Sequence, residues 1–175
     1  MKNLQTVDYS DSSAITASLN KYNLPQSVKN LILKDTGFDN NKTNFSTAFF
    51  GLKNLETLDL STSRDLKEID TEFPNSKSLK SLRTLDLSKS PIEKLSKKTF
   101  RHLKNLEVIG LHGTKLEYID PSWFKHNKNL QTLRISGNPF NCNEKFLKAL
   151  EAFKKEKYVL EDVMAEYPRW AFIYM

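Results

Sequence analysis

The apolar positions of this chain recur in one frame: a leucine or close substitute, a second three residues later and a third two beyond that. The frame reads Val28-Leu31-Leu33, Leu55-Leu58-Leu60, Leu82-Leu85-Leu87, Leu106-Ile109-Leu111 and Leu130-Leu133-Ile135, and Leu4-Val7-Tyr9 fits it. Successive starts lie 24, 27, 27, 24 and 24 residues apart. Side chains alternate along a strand, so the frame residues face one interior and those between them face outward. One such turn cannot cover its own apolar side. Stacking the turns joins their leucines into a continuous core, each contributing roughly 1.5 to 3 kcal/mol by transfer. The pattern predicts an α/β repeat: a solenoid whose short strands form a parallel sheet on the concave face.

The return segments keep the register. Ile92 and Leu95, then Leu116 and Ile119, follow their frame starts at fixed distances, and Phe49, Phe100 and Phe124 each precede the next start by six. The phenylalanines are predicted to line the far side of the core rather than a ligand site. Extra residues around Asp39 to Asn44, and from Asp65 through Pro74 and Ser76, are expected in loops between turns. After Cys142 the period changes: Phe146, Leu147, Leu150 and Phe153 recur at helical spacing opposite Lys145, Lys148, Glu151, Lys154 and Lys155. This predicts an amphipathic helix laid across the end of the core, and the apolar tail from Tyr158 through Val159, Tyr167, Trp170, Phe172 and Tyr174 is expected to pack back on the last turn. The expected division is therefore an array over 1–141, of about six turns starting near 4, 28, 55, 82, 106 and 130, and a C-terminal cap over 142–175.

The segments LKNLETLDLS, LRTLDLSKSPIEKLSKKTFRHLKNLEVIGL and LEYIDPSWFKHNKNLQTLRISGNPF resemble the leucine-rich repeats of animal extracellular proteins, the kind found in Toll-like receptors and secreted immune repeat proteins. The resemblance covers nearly the whole chain. It implies a right-handed leucine-rich repeat solenoid with a C-terminal helical cap, and it implies recognition in innate immunity or at the cell surface. It selects no ligand, because the scaffold serves many.

Two departures from that family pattern matter. The position usually held by asparagine reads Thr36, Ser63, Ser90 and Thr114, and only Asn138 is standard. A hydroxyl has one donor where an amide has two, so a looser ladder with backbone groups partly bonded to water is expected in mid-stack. The second departure is NPFNCNEKFLKAL, which resembles a cysteine-rich cap but holds only Cys142, with Glu144 where a nearby cysteine would stand. The leading expectation for Cys142 is a buried or half-buried thiol; an intermolecular disulfide is the alternative, and no partner residues accompany it as a nucleophile. At the other end the array begins without a cap, which predicts either a self-capping first turn or a piece of a longer array, with the second favoured. Residues 1–20 lack the charged start and apolar run of a secretory signal.

Composition adds bounds rather than a function. The net charge of +6 raises nucleic acid as a partner. The outward strand positions, however, place Asp8, Asp59 and Asp86 in the central column with only Lys34 and Arg134 to oppose them, so nucleic acid is not expected on that face. The lysines fall mainly in return segments and the cap, where they are expected as solvated surface. His102, His112 and His126 give no ligand cluster, so no metal is expected. There is no phosphate loop, nucleophile elbow or paired-carboxylate motif, and neither catalysis nor a cofactor is expected. Asp59 and Asp86 stack about one strand spacing apart, roughly 4.8 Å, but they fill a position that the repeat itself explains.

The reading is a non-catalytic module that binds a protein partner by its concave face or neighbouring edge. The candidate contact residues are Asn30, Ile32, Lys34, Asp59, Asp86, His112 and Arg134. Asn41 and Asn44 stand in glycosylation triplets that chance alone would supply. The resemblance implies an extracellular or cell-surface location. An intracellular adaptor is the alternative, since a reducing compartment accounts for a lone cysteine. No stretch is long enough to span a membrane.

Overall fold

The computed structural model describes residues 3–12, 24–37, 49–69, 79–156 and 158–161. The insertion residues Asp39 to Asn44, both glycosylation triplets with Asn41 and Asn44, Pro74, Ser76 and the tail from Tyr167 onward lie outside these described residues. Seven three-residue strands form one parallel sheet in sequence order: β1 Thr6–Asp8, β2 Asn30–Ile32, β3 Thr57–Asp59, β4 Thr84–Asp86, β5 Val108–Gly110, β6 Thr132–Arg134 and β7 Val159–Glu161. Each neighbour pairs in the register set by the frame, with Leu31, Leu58, Leu85, Ile109 and Leu133 side by side. All five are fully buried. The fold is the expected solenoid with a helix at its C-terminal end.

The core holds the frame leucines together with Phe49, Phe100 and Phe124, each at most 1% exposed. Phe100 and Phe124 stack with centroids 5.7 Å apart, and Phe124 meets Phe153 of the cap helix at 5.9 Å. The aromatic ridge is thus core, as its spacing predicts. At the open end β1 has a neighbour on one side only, and Leu4, expected to face inward, is 37% exposed.

The helix α1, Glu144–Lys155, begins where Asn143 accepts the Phe146 N–H at 3.1 Å. It buries Phe146, Ala149, Leu150 and Phe153. After α1 the chain adds β7 beside β6, with Val159 N–H donating to Gln131 O at 2.7 Å. Tyr158 and Leu160 pack on the core as expected of the tail, but Val159 is 57% exposed. The segment after the helix is therefore a seventh rung of the sheet. Cys142 also departs from expectation: its thiol is exposed, because it lies between the last return segment and the start of α1, where no neighbouring turn covers it.

Three hydrogen-bond columns tie the turns together. In the first, the N–H of the residue seven beyond each frame start donates to the next turn: Asp35 to Ser61 O at 3.0 Å, Thr62 to Ser88 O at 2.8 Å, Lys89 to His112 O at 2.8 Å and Gly113 to Ser136 O at 2.8 Å. This position is left-handed in every turn, at Asp11, Asp35, Thr62, Lys89, Gly113 and Gly137, with φ from 53° to 64°. Only two of the six are glycine, so the array carries local strain of roughly 1 kcal/mol or more at each of the others.

The second column is the one where hydroxyls replace asparagine. Thr36 and Ser63 donate to the carbonyls of Leu33 and Leu60 in their own turns, at 2.6 and 2.8 Å, and Thr114 Oγ1 lies 3.3 Å from Leu111 O. Cross-turn bonds survive nonetheless. Ser63 N–H donates to Ser90 Oγ at 3.0 Å, Ser90 Oγ reaches Leu60 O at 3.3 Å, and Thr114 donates to Asn138 Oδ1. The expected loosening is smaller than a donor count suggests, because a hydroxyl accepts as well as donates.

The third column was not anticipated. The residue just before each frame start reaches back one turn: Ser27 to Leu4 O at 2.7 Å, Asn54 to Gln26 O at 2.9 Å, Ser81 to Lys53 O at 2.8 Å, Asn105 to Lys80 O at 2.8 Å and Asn129 to Lys104 O at 3.2 Å. The recurrent Lys-Asn-Leu and Lys-Ser-Leu triplets carried this signal.

Candidate functional site

The outward side chains of the sheet form three columns. The central one reads Asp8, Ile32, Asp59, Asp86, Gly110 and Arg134, each paired in register with the next. Asn30 follows Thr6 in the adjoining column, and its amide donates to Thr6 Oγ1 at 3.1 Å. Lys34 and His112 belong to the column past the strand ends. The fold thus brings Ile32, Asp59 and Asp86 side by side, sets Arg134 beyond Gly110, and leaves Asn30, Lys34 and His112 to either side.

The aspartates are held by their own turns. Asp8 Oδ1 accepts both the N–H and the hydroxyl of Ser10, at 2.9 and 2.6 Å, and these bonds hold its carboxyl below the usual range. Asp59 accepts Ser61 N–H at 2.8 Å and Asp86 accepts Ser88 N–H at 2.9 Å. The Asp-x-Ser spacing is therefore an Asx turn that closes each strand, and the two stacked carboxylates each face a donor of their own turn.

Ser61 and Ser88, which strand alternation would turn outward, are buried, and so is Gly110. The cause is local. His112 Nδ1 bonds Ser88 Oγ at 2.7 Å, covering it, and Gly110 has no side chain to raise above its neighbours. The place a side chain would take at Gly110 is filled instead by the Asp86 carboxylate and Ser88 Oγ, with His112 alongside.

Among the open hollows elsewhere, two are lined by several charged side chains. One of about 400 Å³ is lined by Asp11, Asp35, Thr36, Gly37, Arg64 and Asp65. There Arg64 forks onto Asp35, Nε to Oδ1 at 3.0 Å and Nη2 to Oδ2 at 3.1 Å, and this pair holds the guanidinium pKa above its ordinary value. The other, of about 370 Å³, runs beside Tyr118 between Glu93, Lys94, Lys115, Glu117 and Pro139. Lys145 of α1 lies over the Tyr118 ring, 4.7 Å from its centre. Neither hollow joins a nucleophile to a base. No group of three or more His, Cys, Asp or Glu is placed to hold a metal among the described residues. His102 and His126 occupy the same position in successive turns, four before the frame start.

Comparison with known proteins agrees with this geometry. Residues 80–140 match the leucine-rich repeat family model. A solved leucine-rich repeat protein of Leptospira interrogans superposes with a TM-score of 0.68 at 24% sequence identity, over 91% of this chain and 37% of that one. The chain thus spans little more than a third of that protein's length. No curated protein matches. No described helix is long and apolar enough to cross a membrane. Residues 80–140 thus carry leucine-rich repeats, and the chain has the fold of a leucine-rich repeat solenoid.

Proposed function

We propose that the chain is a non-catalytic recognition module that takes a protein partner on its sheet face, over the row Ile32, Asp59, Asp86 and Arg134 with Asn30, Lys34 and His112 alongside. One observation supports this most. The polar row is fixed in register by the strand pairing and by the Asx turns at Asp59 and Asp86. A preformed row loses little ordering entropy on association.

The test is chemical crosslinking to the native extract followed by mass analysis, using the wild type, a variant with Asp59→Lys and Asp86→Lys, and a control with Lys97→Glu and Lys98→Glu in a return segment. A partner captured by wild type and control but lost by the sheet variant supports the proposal. Equal capture by all three refutes it.

For setting, the proposal is a secreted or cell-surface receptor-like protein of the innate immune type, supported by the motif resemblance. A second reading, an intracellular adaptor, is favoured by exposed Cys142, because a solvent-facing unpaired thiol suits a reducing compartment. Native protein carrying glycan on Asn41 or Asn44, or a disulfide from Cys142 to another chain, supports the first. Unmodified asparagines with an open thiol support the second.

A further inference from the structure

The edge from which the strands begin carries charge that the sheet face does not. Two residues before each frame start stand Lys53, Lys80, Lys104 and Lys128, one per turn in four successive turns, all exposed. Their spacing follows the sheet, about 4.8 Å per turn. The third hydrogen-bond column fixes them: the carbonyls of Lys53, Lys80 and Lys104 accept from Ser81, Asn105 and Asn129. Lys128 follows Asn127, which is fully buried and bonded to Phe100 O and Leu103 O at 2.9 and 2.7 Å.

A second column lies beside it on the return side, five residues before the frame start: Phe50, Arg101 and Lys125. The two columns approach one another at His126, whose pKa is held below its ordinary value by desolvation and then by Lys104, Lys125, Arg101 and Lys128. Among the described residues, the acids nearest in the sheet are engaged elsewhere. Glu56 pairs with Lys29 at 2.8 Å and Glu107 pairs with Arg83, both on the sheet side.

We propose that this edge docks on an anionic lipid surface, with Lys53, Lys80, Lys104, Lys128, Arg101 and Lys125 over the headgroups and Phe50 entering the interface. Two features favour a bilayer over other polyanions. The cations form two adjacent columns along an edge and line neither hollow described above, so a broad anionic surface lying across the edge meets both at once. The exposed large apolar side chain in these columns is a single phenylalanine at one end, 77% exposed. That suits shallow insertion, whereas single-stranded nucleic acid needs a series of stacking rings.

The experiment is co-sedimentation of the full chain with vesicles of phosphatidylcholine mixed with phosphatidylserine, against vesicles of phosphatidylcholine alone, across a salt series. Binding only to the anionic vesicles, weakening as salt rises, is expected. Each lysine changed to glutamine should lower the partition coefficient about fivefold, and the fourfold Lys→Gln variant should lose binding while the fourfold Lys→Arg variant retains it. Circular dichroism of both variants establishes that the solenoid is intact. Phe50→Ser should remove the residual binding that persists at high salt. Equal binding to both vesicle types, or binding to heparin or RNA without binding to anionic vesicles, overturns the proposal, as does a fourfold Lys→Gln variant that is folded and still sediments.

Discussion

A β-carbon on Gly110 would lie 2.5 Å from Asp86 Oδ1 and 2.7 Å from Ser88 Oγ. The two positions are register partners in β4 and β5, so the glycine makes room for the Asx turn of the preceding strand. Gly110→Ala should therefore displace the Asp86 carboxylate from Ser88 N–H and destabilise the fold by about 1 to 2 kcal/mol in denaturant unfolding. The pair is coupled: added to Asp86→Ala, the same substitution should cost much less. Additive losses would show that the crowding is relieved elsewhere.

Thr62 is β-branched and sits at φ 58°. Glycine there removes strain of roughly 1 kcal/mol against an unfolded-state entropy cost of about 0.4 to 1 kcal/mol. The bond from its N–H to Ser88 O is kept. Thr62→Gly should raise stability slightly, by about 0.5 kcal/mol, whereas Gly113→Ala at the equivalent position should lower it by about 1 kcal/mol. Thermal unfolding of the two variants side by side decides the matter through their opposite signs.

Asn127 stands where Leu52, Leu79 and Leu103 stand in earlier turns, and it donates twice to the turn below. Both carbonyls keep a backbone donor as well, from Leu103 N–H and Leu106 N–H, so neither is orphaned when the amide is lost. Asn127→Ala is expected to cost about 2 kcal/mol. Asn127→Asp should be worse at neutral pH, since a carboxylate would face two carbonyl oxygens, and the gap between the two variants should close in acid as the aspartate protonates. Equal stability of the two at neutral pH would count against the assigned bonds.

The depressed His126 pKa has a definite sign. Between its folded value and the ordinary 6.5 the folded chain binds fewer protons than the unfolded one, so the contribution of His126 to stability falls as pH drops through that window. Proton NMR titration of the imidazole should give a midpoint below 6.5 that rises with added salt and with Lys104→Gln. A midpoint indifferent to both would mean that the neighbouring cations do not act on it.

The strands, their register and the aromatic ridge were legible because each frame leucine has no alternative but the shared interior. The cap helix was legible from its period and from Asn143 at its start. Strand β7 was not, because in its turn Leu160 is the single apolar frame residue, with Lys157 and Asp162 at the other two positions. The outward columns could be listed from alternation, but which members stand proud could not: Ser88 is covered by His112, a residue of the next turn, and the Asp86 carboxylate lies over Gly110. The back-reaching column of Ser27, Asn54, Ser81, Asn105 and Asn129 was written in the sequence. It passed for ordinary polar filling because its acceptors are backbone atoms, which leave no pattern of their own.

That back-reaching column also has a direction. Each donor grips the turn before it, and none of these bonds spans more than one neighbour. Drawn from its C-terminal end in an optical trap, the molecule should not yield in one rupture. After the cap is released it should pay out in steps of about 24 to 27 residues, the steps growing easier as the remaining stack shortens towards the exposed Leu4.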